Sequence, residues 1–388
     1  MKIKDRLNLK IESVAFGGEG VGRADGFVVF VPFTTVDDVV NVEIVQRKKT
    51  FARGRLLEIL TPSPFRADPV CPYFGRCGGC AYQHIQYEHQ LEIKRKQVED
   101  AFGKIAKIAA PKIASVIGSP QTYAYRGKAT LHAEKTVGGL KLGFMDISGG
   151  DVIDIERCQI MHETINDQIR QLRSGPMILS PEEDITFWSG RQQSSDETVI
   201  RRVKDREFAV PYDGFFQANL FLTDRMVDEV LNLVEPGRVE TLVDACCGCG
   251  LFSVFLAPHA RRLIGVEIYE KSVHYARVNA ANMGLSNVEF VFSDVNIFLK
   301  EMARKKEAVD LMVLDPPRTG LDPKTLAAIS EIKPFDIIYV SCNPATQARD
   351  VGVLRKAGYE LRFLQPMDMF PQTQHIETIG LLGRNPSI

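Results

Sequence analysis

Asp244-Ala245-Cys246-Cys247-Gly248-Cys249-Gly250-Leu251-Phe252 is the stretch on which the fold turns. An apolar run at 241–243 leads into it and a helical pattern leads away, so its glycines fall in a tight strand-to-helix turn. There the backbone can approach a ligand that larger side chains would exclude. Glu267 follows at the end of the next expected strand, where a carboxylate can accept hydrogen bonds from ribose hydroxyls. A dinucleotide fingerprint is excluded, because Ser253 stands where its third glycine would be. The acid at Asp244 also suits a ligand bearing an amino acid ammonium better than a pyrophosphate, which needs an uncluttered helix N-terminus. Outward from this turn, the pattern predicts parallel strands at 241–243, 262–266, 288–292, 311–314 and 337–340, alternating with helices. Runs at 359–363 and 376–382 predict an antiparallel closing pair, giving a doubly wound α/β domain over 206–388.

Upstream the period changes. Short alternating runs at 11–14, 26–31, 39–45 and 52–60 predict a small all-β barrel over 1–61. Gly17-Gly18-Glu19-Gly20-Val21-Gly22 precedes no helical pattern and reads as a β-turn. The Pro-rich Thr61-Pro62-Ser63-Pro64-Phe65 marks the first boundary. A central domain, 62–205, follows: Leu91, Val98, Phe102 and Ile105 recur at helical spacing and predict an amphipathic helix over 88–107 with a basic outer face, and the rest reads as β-rich.

A chain of 388 residues with net charge −1 exceeds one domain and shows no global preference for a polyanion. Its basic residues are instead local. Arg47, Lys48, Lys49, Arg53 and Arg55 surround Phe51, and Lys94, Arg95, Lys96, Lys104, Lys107, Lys112, Arg126 and Lys128 face few acids. From charge alone a solvated helix face explains these as well as an RNA contact does. No apolar run approaches the roughly 20 residues that span a bilayer, and no export signal opens the chain, so a soluble cytoplasmic protein is expected. The eight cysteines then point to metal or catalysis rather than disulfides.

Ser341-Cys342-Asn343-Pro344 falls at the C-terminal end of a predicted strand, the edge where open α/β sheets bind ligands. A lone cysteine there is more often buried filler than nucleophile. Asp315-Pro316-Pro317-Arg318 on the preceding strand end and Glu377 on the closing strand change those odds. Asp294, after the third strand, fits a cofactor contact or a helix N-cap equally. Cys246, Cys247 and Cys249 crowd one loop too closely to chelate an ion well, and packing is the favoured reading there.

Phe216-Gln217-Ala218-Asn219, the Asp244 loop, Asp315-Pro316-Pro317-Arg318-Thr319-Gly320, Ser341-Cys342-Asn343-Pro344-Ala345-Thr346 and Phe370-Pro371-Gln372-Thr373-Gln374-His375-Ile376-Glu377 stand in an order that resembles the RNA 5-methyluridine methyltransferase family. The resemblance runs through the whole chain. It implies an S-adenosylmethionine-dependent enzyme with a Rossmann-like methyltransferase sheet. Gln217, Asp244, Cys246, Gly248, Leu251, Glu267, Asp294 and Asp315 would lie at the cofactor, although the family usually shows an aromatic and a polar residue at positions 246 and 251. Cys342 matches the family's nucleophile and Glu377 its base. A thiolate adding to carbon 6 of uracil makes carbon 5 nucleophilic, and after methyl transfer a base must remove the carbon 5 proton so that the thiolate can leave. RNA cytosine-5 methyltransferases carry a second cysteine where Arg318 stands here.

The N-terminal barrel, through Gly17-Gly18-Glu19-Gly20 and Val31-Pro32-Phe33, resembles the OB-like, RNA-binding TRAM module. Cys71, Cys77, Cys80 and Cys158 supply four thiolates, and spacing alone suits zinc or an iron-sulfur cluster equally. The family resemblance implies a [4Fe-4S] cluster in a β-rich central domain, shaping the RNA-binding region rather than carrying electrons. Relatives with both barrel and cluster mostly act on 23S rRNA, while others act on the tRNA T-loop; 23S rRNA is the expected partner and a monomer the expected state. A base stacked in folded RNA would have to be extruded to reach Cys342. The non-enzymatic alternative is an iron-sulfur RNA-binding or folding factor that retains the cofactor pocket.

Overall fold

The alternating runs at the start of the chain close into a five-stranded barrel. The computed structural model describes residues 1–136, 139–174, 183–192, 197–235, 237 and 239–384. β1 (Arg6–Val14), β2 (Gly20–Ala24), β3 (Phe27–Val31), β4 (Val39–Arg47) and β5 (Phe51–Thr61) join in the order β1-β2-β3-β5-β4. Leu9, Ile11, Val29, Val31, Val40, Val42 and Ile44 fill its interior, as the two-residue period of a strand requires. The glycine run is only half a turn. Gly17 and Gly18 take left-handed φ of 108° and 91°, but Gly20 opens β2, where a Cβ would meet Thr34 Oγ1 at 2.0 Å. The glycine there serves close packing inside a strand, which alternation across so short a run did not reveal.

The chain divides into two compact units. The first holds Met1–Gln97, Gln121–Ser189 and Phe370–His375; the second holds Val98–Pro120, Gly190–Met369 and Ile376–Ile388. Besides the barrel, the first unit contains β6 (Lys128–Thr136), β7 (Gly139–Met145), β8 (Val152–Asp154), α2 (Glu163–Ser174) and β9 (Glu183–Trp188), with a sheet in the order β8-β7-β6-β9. Ile165 and Ile169 of α2 pack on Leu131 and Leu142 of that sheet.

Helix α1 (Tyr87–Lys104) departs in one respect from the basic outer face expected of it. Arg95 and Lys96 are exposed, but Lys94 is fully buried, with Nζ donating to the Phe370 carbonyl at 3.2 Å and lying 5.6 Å from the Tyr82 ring centroid. A buried lysine is stabilised where fixed acceptors replace water. Ile105, read as an apolar position, is 44 % exposed, one residue beyond the helix end.

After the last turns of α1, the second unit continues with β10 (Arg191–Gln192), β11 (Thr198–Val203), β12 (Arg206–Pro211) and α3 (Thr223–Leu231). Its main sheet has seven strands: β13 (Val239–Ala245), β14 (Ala260–Glu267), β15 (Val288–Phe292), β16 (Leu311–Leu314), β17 (Asp336–Ser341), β18 (Tyr359–Met367) and β19 (Glu377–Arg384). The order is β15-β14-β13-β16-β17-β19-β18, parallel through β17, with β19 antiparallel to both its neighbours. Helices α4 (Leu251–Leu256), α5 (Glu270–Asn282), α6 (Val295–Lys305), α7 (Pro323–Ile332) and α8 (Pro344–Lys356) make the crossovers. Val243, Ile264, Met312, Leu314, Ile337 and Tyr339 are among the sheet residues of its core. Strand order reverses direction between β13 and β16, the point at which such sheets open a crevice for ligand.

Candidate active site

Every carboxylate singled out in the sequence reaches the same edge of this sheet. Asp244 is the penultimate residue of β13, Glu267 ends β14, Asp294 follows β15 and Asp315 follows β16. The Asp315 N–H donates to the Ala245 carbonyl at 3.3 Å, so the strands flanking the crevice are joined at its mouth. Asp244 is fully buried. Its Oδ2 accepts from Ser253 Oγ at 2.5 Å, while Oδ1 is buried with no partner. Burial, with Glu267 nearby, pushes the Asp244 carboxyl up to about 6, and burial with Asp244 and Glu267 pushes Asp315 up to about 7. Three carboxylates at one crevice, with Asp244 fully buried and one of its oxygens orphaned, form a site suited to a cationic ligand.

The turn between β13 and α4 explains its own composition. Cys246 is left-handed at φ 64°, a strained conformation for a residue with a side chain, and Gly248 and Gly250 are left-handed at 53° and 82°. A Cβ on Gly248 would meet nothing within 4 Å, so the space above it is open, whereas Gly250 is closed in by Phe290 and Ala276. The Gly248 N–H donates to Glu267 Oε2 at 3.0 Å, and Glu267 Oε1 accepts from Ile268 and Tyr269 N–H at 2.8 and 2.9 Å. Leu251 is buried at the start of α4, and Cys247 packs with Val273, Ala276, Ala280 and Phe290. Asp294 is the N-cap of α6, its Oδ1 accepting from Asn296 N–H at 2.8 Å. Gln217 is buried between β12 and α3, beside Asn219, which is fixed by Ser119 Oγ and the Met369 carbonyl at 3.1 Å each.

Cys342 and Glu377 meet through strand register. Ser341 pairs with Thr378 across the antiparallel β17–β19 ladder, so the next residues outward on the two strands are Cys342 and Glu377. Cys342 immediately precedes Asn343, the N-cap of α8, whose Oδ1 accepts from Ala345 N–H at 3.1 Å. A helix N-terminus favours a thiolate. Burial and the Glu377 charge oppose it and push the Cys342 thiol up to about 11, while Arg318 draws it down. Burial and Asp315 raise Glu377 well above the carboxylate range, and Arg318 again opposes. Arg318, quoted in the sequence as the last residue of the Asp315-Pro316-Pro317-Arg318 motif and as the residue standing where a second cysteine would be, is thus the cation acting on this pair. Its place directly after Asp315-Pro316-Pro317 was the available signal.

Cys71, Cys77, Cys80 and Cys158 come together around one cavity of the first unit, with Tyr73 and Arg126 also in its wall. Burial raises Cys77 and pushes Cys80 up to about 12 and Cys158 to about 11, with the neighbouring sulfurs adding to the effect. Among the described residues no three His, Cys, Asp or Glu side chains converge as a single-ion site. The donor set itself, four sulfurs at one cavity, fits a soft metal centre.

The C-terminal half of the chain, residues 192–385, matches the model of the tRNA (uracil-5-)-methyltransferase family, and residues 3–57 match the TRAM domain. An RNA methyltransferase of Halalkalibacterium halodurans is 31% identical, with 97% of each chain covered. The chain belongs to the tRNA (uracil-5-)-methyltransferase family. A second member, the tRNA (uracil(54)-C(5))-methyltransferase of Schizosaccharomyces pombe, is 35% identical over 97% of this chain and 78% of its own. The crystal structure of Pyrococcus abyssi tRNA (uracil-54, C5)-methyltransferase with S-adenosyl-L-homocysteine superposes with a TM-score of 0.72 at 25% identity, covering 97% of this chain and 100% of that one. As a family member the chain is an S-adenosylmethionine-dependent RNA (uracil-5-)-methyltransferase with an RNA-binding TRAM barrel. The methyl donor of the family, S-adenosylmethionine, is a cation of the kind this crevice suits. Among the described residues no helix is long and apolar enough to cross a membrane.

Proposed function

We propose that the enzyme methylates carbon 5 of a uridine in folded RNA through a covalent adduct between the Cys342 sulfur and carbon 6. The observation that carries this reading is the β17–β19 register, which sets Cys342 and Glu377 across from one another at the edge that holds Asp244, Glu267 and Asp315. The thiolate of Cys342 adds to carbon 6 and the ring electrons move to carbon 5, which accepts the methyl group. Glu377, as carboxylate, then takes the carbon 5 proton. The carbon 5 electron pair reforms the ring double bond and expels the sulfur as thiolate. A neutral thioether at position 342 removes the negative charge that Glu377 would otherwise face, so the carboxylate is easier to ionise at the step that needs it.

S-Adenosylmethionine supplies the methyl group as a sulfonium. Asp244, Glu267, Asp294, Asp315 and Gln217 would hold it, with Gly248 leaving room and Cys246 and Leu251 in the wall. The unpartnered Asp244 Oδ1 and the raised carboxyls of Asp244 and Asp315 support a positively charged occupant. We assign Cys71, Cys77, Cys80 and Cys158 to a [4Fe-4S] cluster that shapes the RNA-binding unit and takes no part in turnover; their shared cavity and purely sulfur donors support it. We infer a monomer acting in the cytoplasm.

The acceptor read from the sequence is 23S rRNA. A second acceptor, the T-loop uridine of tRNA, has the more specific support, because the S. pombe and P. abyssi relatives that span nearly all of this chain are both uridine 54 enzymes. Nucleoside mapping of both RNAs from a deletion strain separates the two: loss of 5-methyluridine from tRNA alone, or from 23S rRNA alone, names the substrate. An unchanged 5-methyluridine content in both, together with no adduct on 5-fluorouridine RNA, would refute the proposed chemistry.

A further inference from the structure

The loop between β16 and α7 is tied to α8 through residues 318–321. Asn343 Nδ2 and Thr346 Oγ1 donate to the Arg318 carbonyl at 3.1 and 3.2 Å. Arg349 Nη2 donates to the Thr319 and Leu321 carbonyls at 3.0 and 3.1 Å. Asp350, fully buried, accepts from Leu321 N–H at 2.8 Å and Tyr339 Oη at 2.7 Å, and pairs with Arg349 at 2.7 Å. Between these anchors Gly320 is left-handed at φ 72°, and a Cβ there would lie 2.6 Å from Asp350 Oδ2 and 2.7 Å from Arg349 Nη2. Three of the four residues 318–321 are thus bonded to the helix whose N-terminal side carries Cys342.

We propose that Arg318 is a further functional residue of the methyl-transfer site: the α8 clamp fixes its backbone at the helix N-terminus next to Cys342, and its exposed guanidinium stabilises first the thiolate and then the Glu377 carboxylate. The inference rests on the proposed roles of those two residues. The charged groups around the thiol are Glu377 on β19, Asp315 at the end of β16 and Arg318; two are acids, so Arg318 is the counter-charge. The same side chain opposes the rise of Glu377. When the sulfur becomes a thioether its negative charge is gone, and the undiminished positive charge of Arg318 is left to favour an ionised Glu377. One fixed cation thereby serves two anions that are needed at different steps. Asp350 and Arg349 are positioning residues in this scheme, and Gly320 is the residue that permits their approach.

The test is the pH dependence of Cys342 alkylation by iodoacetamide, followed on the Cys342 peptide by mass spectrometry in the full chain. Wild type, Arg318→Gln, Arg318→Lys and Gly320→Ala are compared, with adduct formation on 5-fluorouridine RNA measured in parallel. Arg318→Gln is expected to move the alkylation midpoint up by about one pH unit and to slow adduct formation about tenfold near neutrality, with S-adenosylmethionine affinity within about twofold of wild type. Arg318→Lys should restore most of the loss, and Gly320→Ala should shift the midpoint in the same direction by displacing the loop. A midpoint in Arg318→Gln that coincides with wild type, while wild type forms the adduct, overturns the role of Arg318 alone. Absence of the adduct in wild type overturns the Cys342 mechanism instead.

Discussion

Thr378 Oγ1 donates to Gln347 Oε1 at 2.7 Å, and Gln347 Nε2 donates to the Tyr339 carbonyl at 2.8 Å, with Gln347 and Thr378 fully buried. Thr378 stands next to Glu377, and Gln347 lies in the second turn of α8, after Cys342. One amide therefore fastens the strand carrying the proposed base to the helix and strand carrying the proposed nucleophile. Gln347→Leu removes both bonds and leaves the Thr378 hydroxyl only its donation to the Ser341 carbonyl at 3.2 Å, a loss of about 1–3 kcal/mol. A fall of a few degrees in melting temperature is expected, with kcat reduced more than KM because the pair is misaligned while the RNA surface is untouched. A variant with normal kcat would show that the strand pairing alone sets the geometry.

The two catalytic assignments separate by where turnover stops. Cys342→Ala is expected to abolish methyl transfer and adduct formation while RNA affinity stays within about twofold, since the sulfur makes the bond on which every later step depends. Glu377→Gln leaves the addition and methyl transfer possible but removes the proton acceptor, so release should slow by about 10²- to 10⁴-fold and a denaturation-resistant protein–RNA complex should accumulate. The measurement is a denaturing gel with labelled RNA. A Glu377→Gln enzyme that turns over without accumulating the complex would place the base elsewhere.

Asp244 and Asp315 give a pH dependence whose sign is fixed. Both carboxyls titrate higher in the folded protein than in an unfolded chain, at about 6 and about 7. The stability this contributes is full below the ordinary carboxylate range and is lost as pH rises through those values. Cofactor-free protein should therefore melt at progressively lower temperature between about pH 4 and about pH 7. S-Adenosylmethionine binding runs the opposite way, because its positive charge requires the ionised acids. Affinity should rise by up to about tenfold per pH unit per proton released below about pH 6. S-Adenosylhomocysteine, lacking the sulfonium charge, should respond less. Calorimetry in buffers of different ionisation enthalpy counts the protons directly.

The sheet was legible because its strands are buried on both faces and therefore read as apolar runs between glycine and proline punctuation, as at Leu311–Leu314 before Asp315-Pro316-Pro317. The edge where the proposed chemistry lies was legible for the same reason, since strand ends fix where Asp244, Glu267 and Cys342 fall. What the sequence did not disclose depends on partners far along the chain. Lys94 looked like one more solvated base until the Phe370 carbonyl and the Tyr82 ring were placed beside it. Arg53 and Arg55, read as a basic cluster around Phe51, are paired with Glu19 and Glu43 at 2.9 Å, acids 34 and 12 residues away. Those pairs leave less free charge on the barrel than its composition suggested. Gly20 hid a strand for a similar reason: only the fold shows that Thr34 lies against it.

Cys71, Cys77, Cys80 and Cys158 yield the last prediction. Burial and mutual repulsion hold Cys77, Cys80 and Cys158 above the ordinary thiol value, so without a cation the cavity keeps its protons. Loading a metal centre must release them, and occupancy should therefore fall steeply as pH is lowered. Anaerobic purification is expected to give a brown protein with iron and sulfide in equal amounts. Cys80→Ser should lose the colour and weaken RNA binding, yet leave S-adenosylmethionine affinity unchanged, because the proposed cofactor residues all belong to the other compact unit. Stoichiometric zinc in place of iron would overturn the cluster and retain a structural role for the four sulfurs. A Cys80→Ser protein with normal iron content would remove Cys80 from the ligand set.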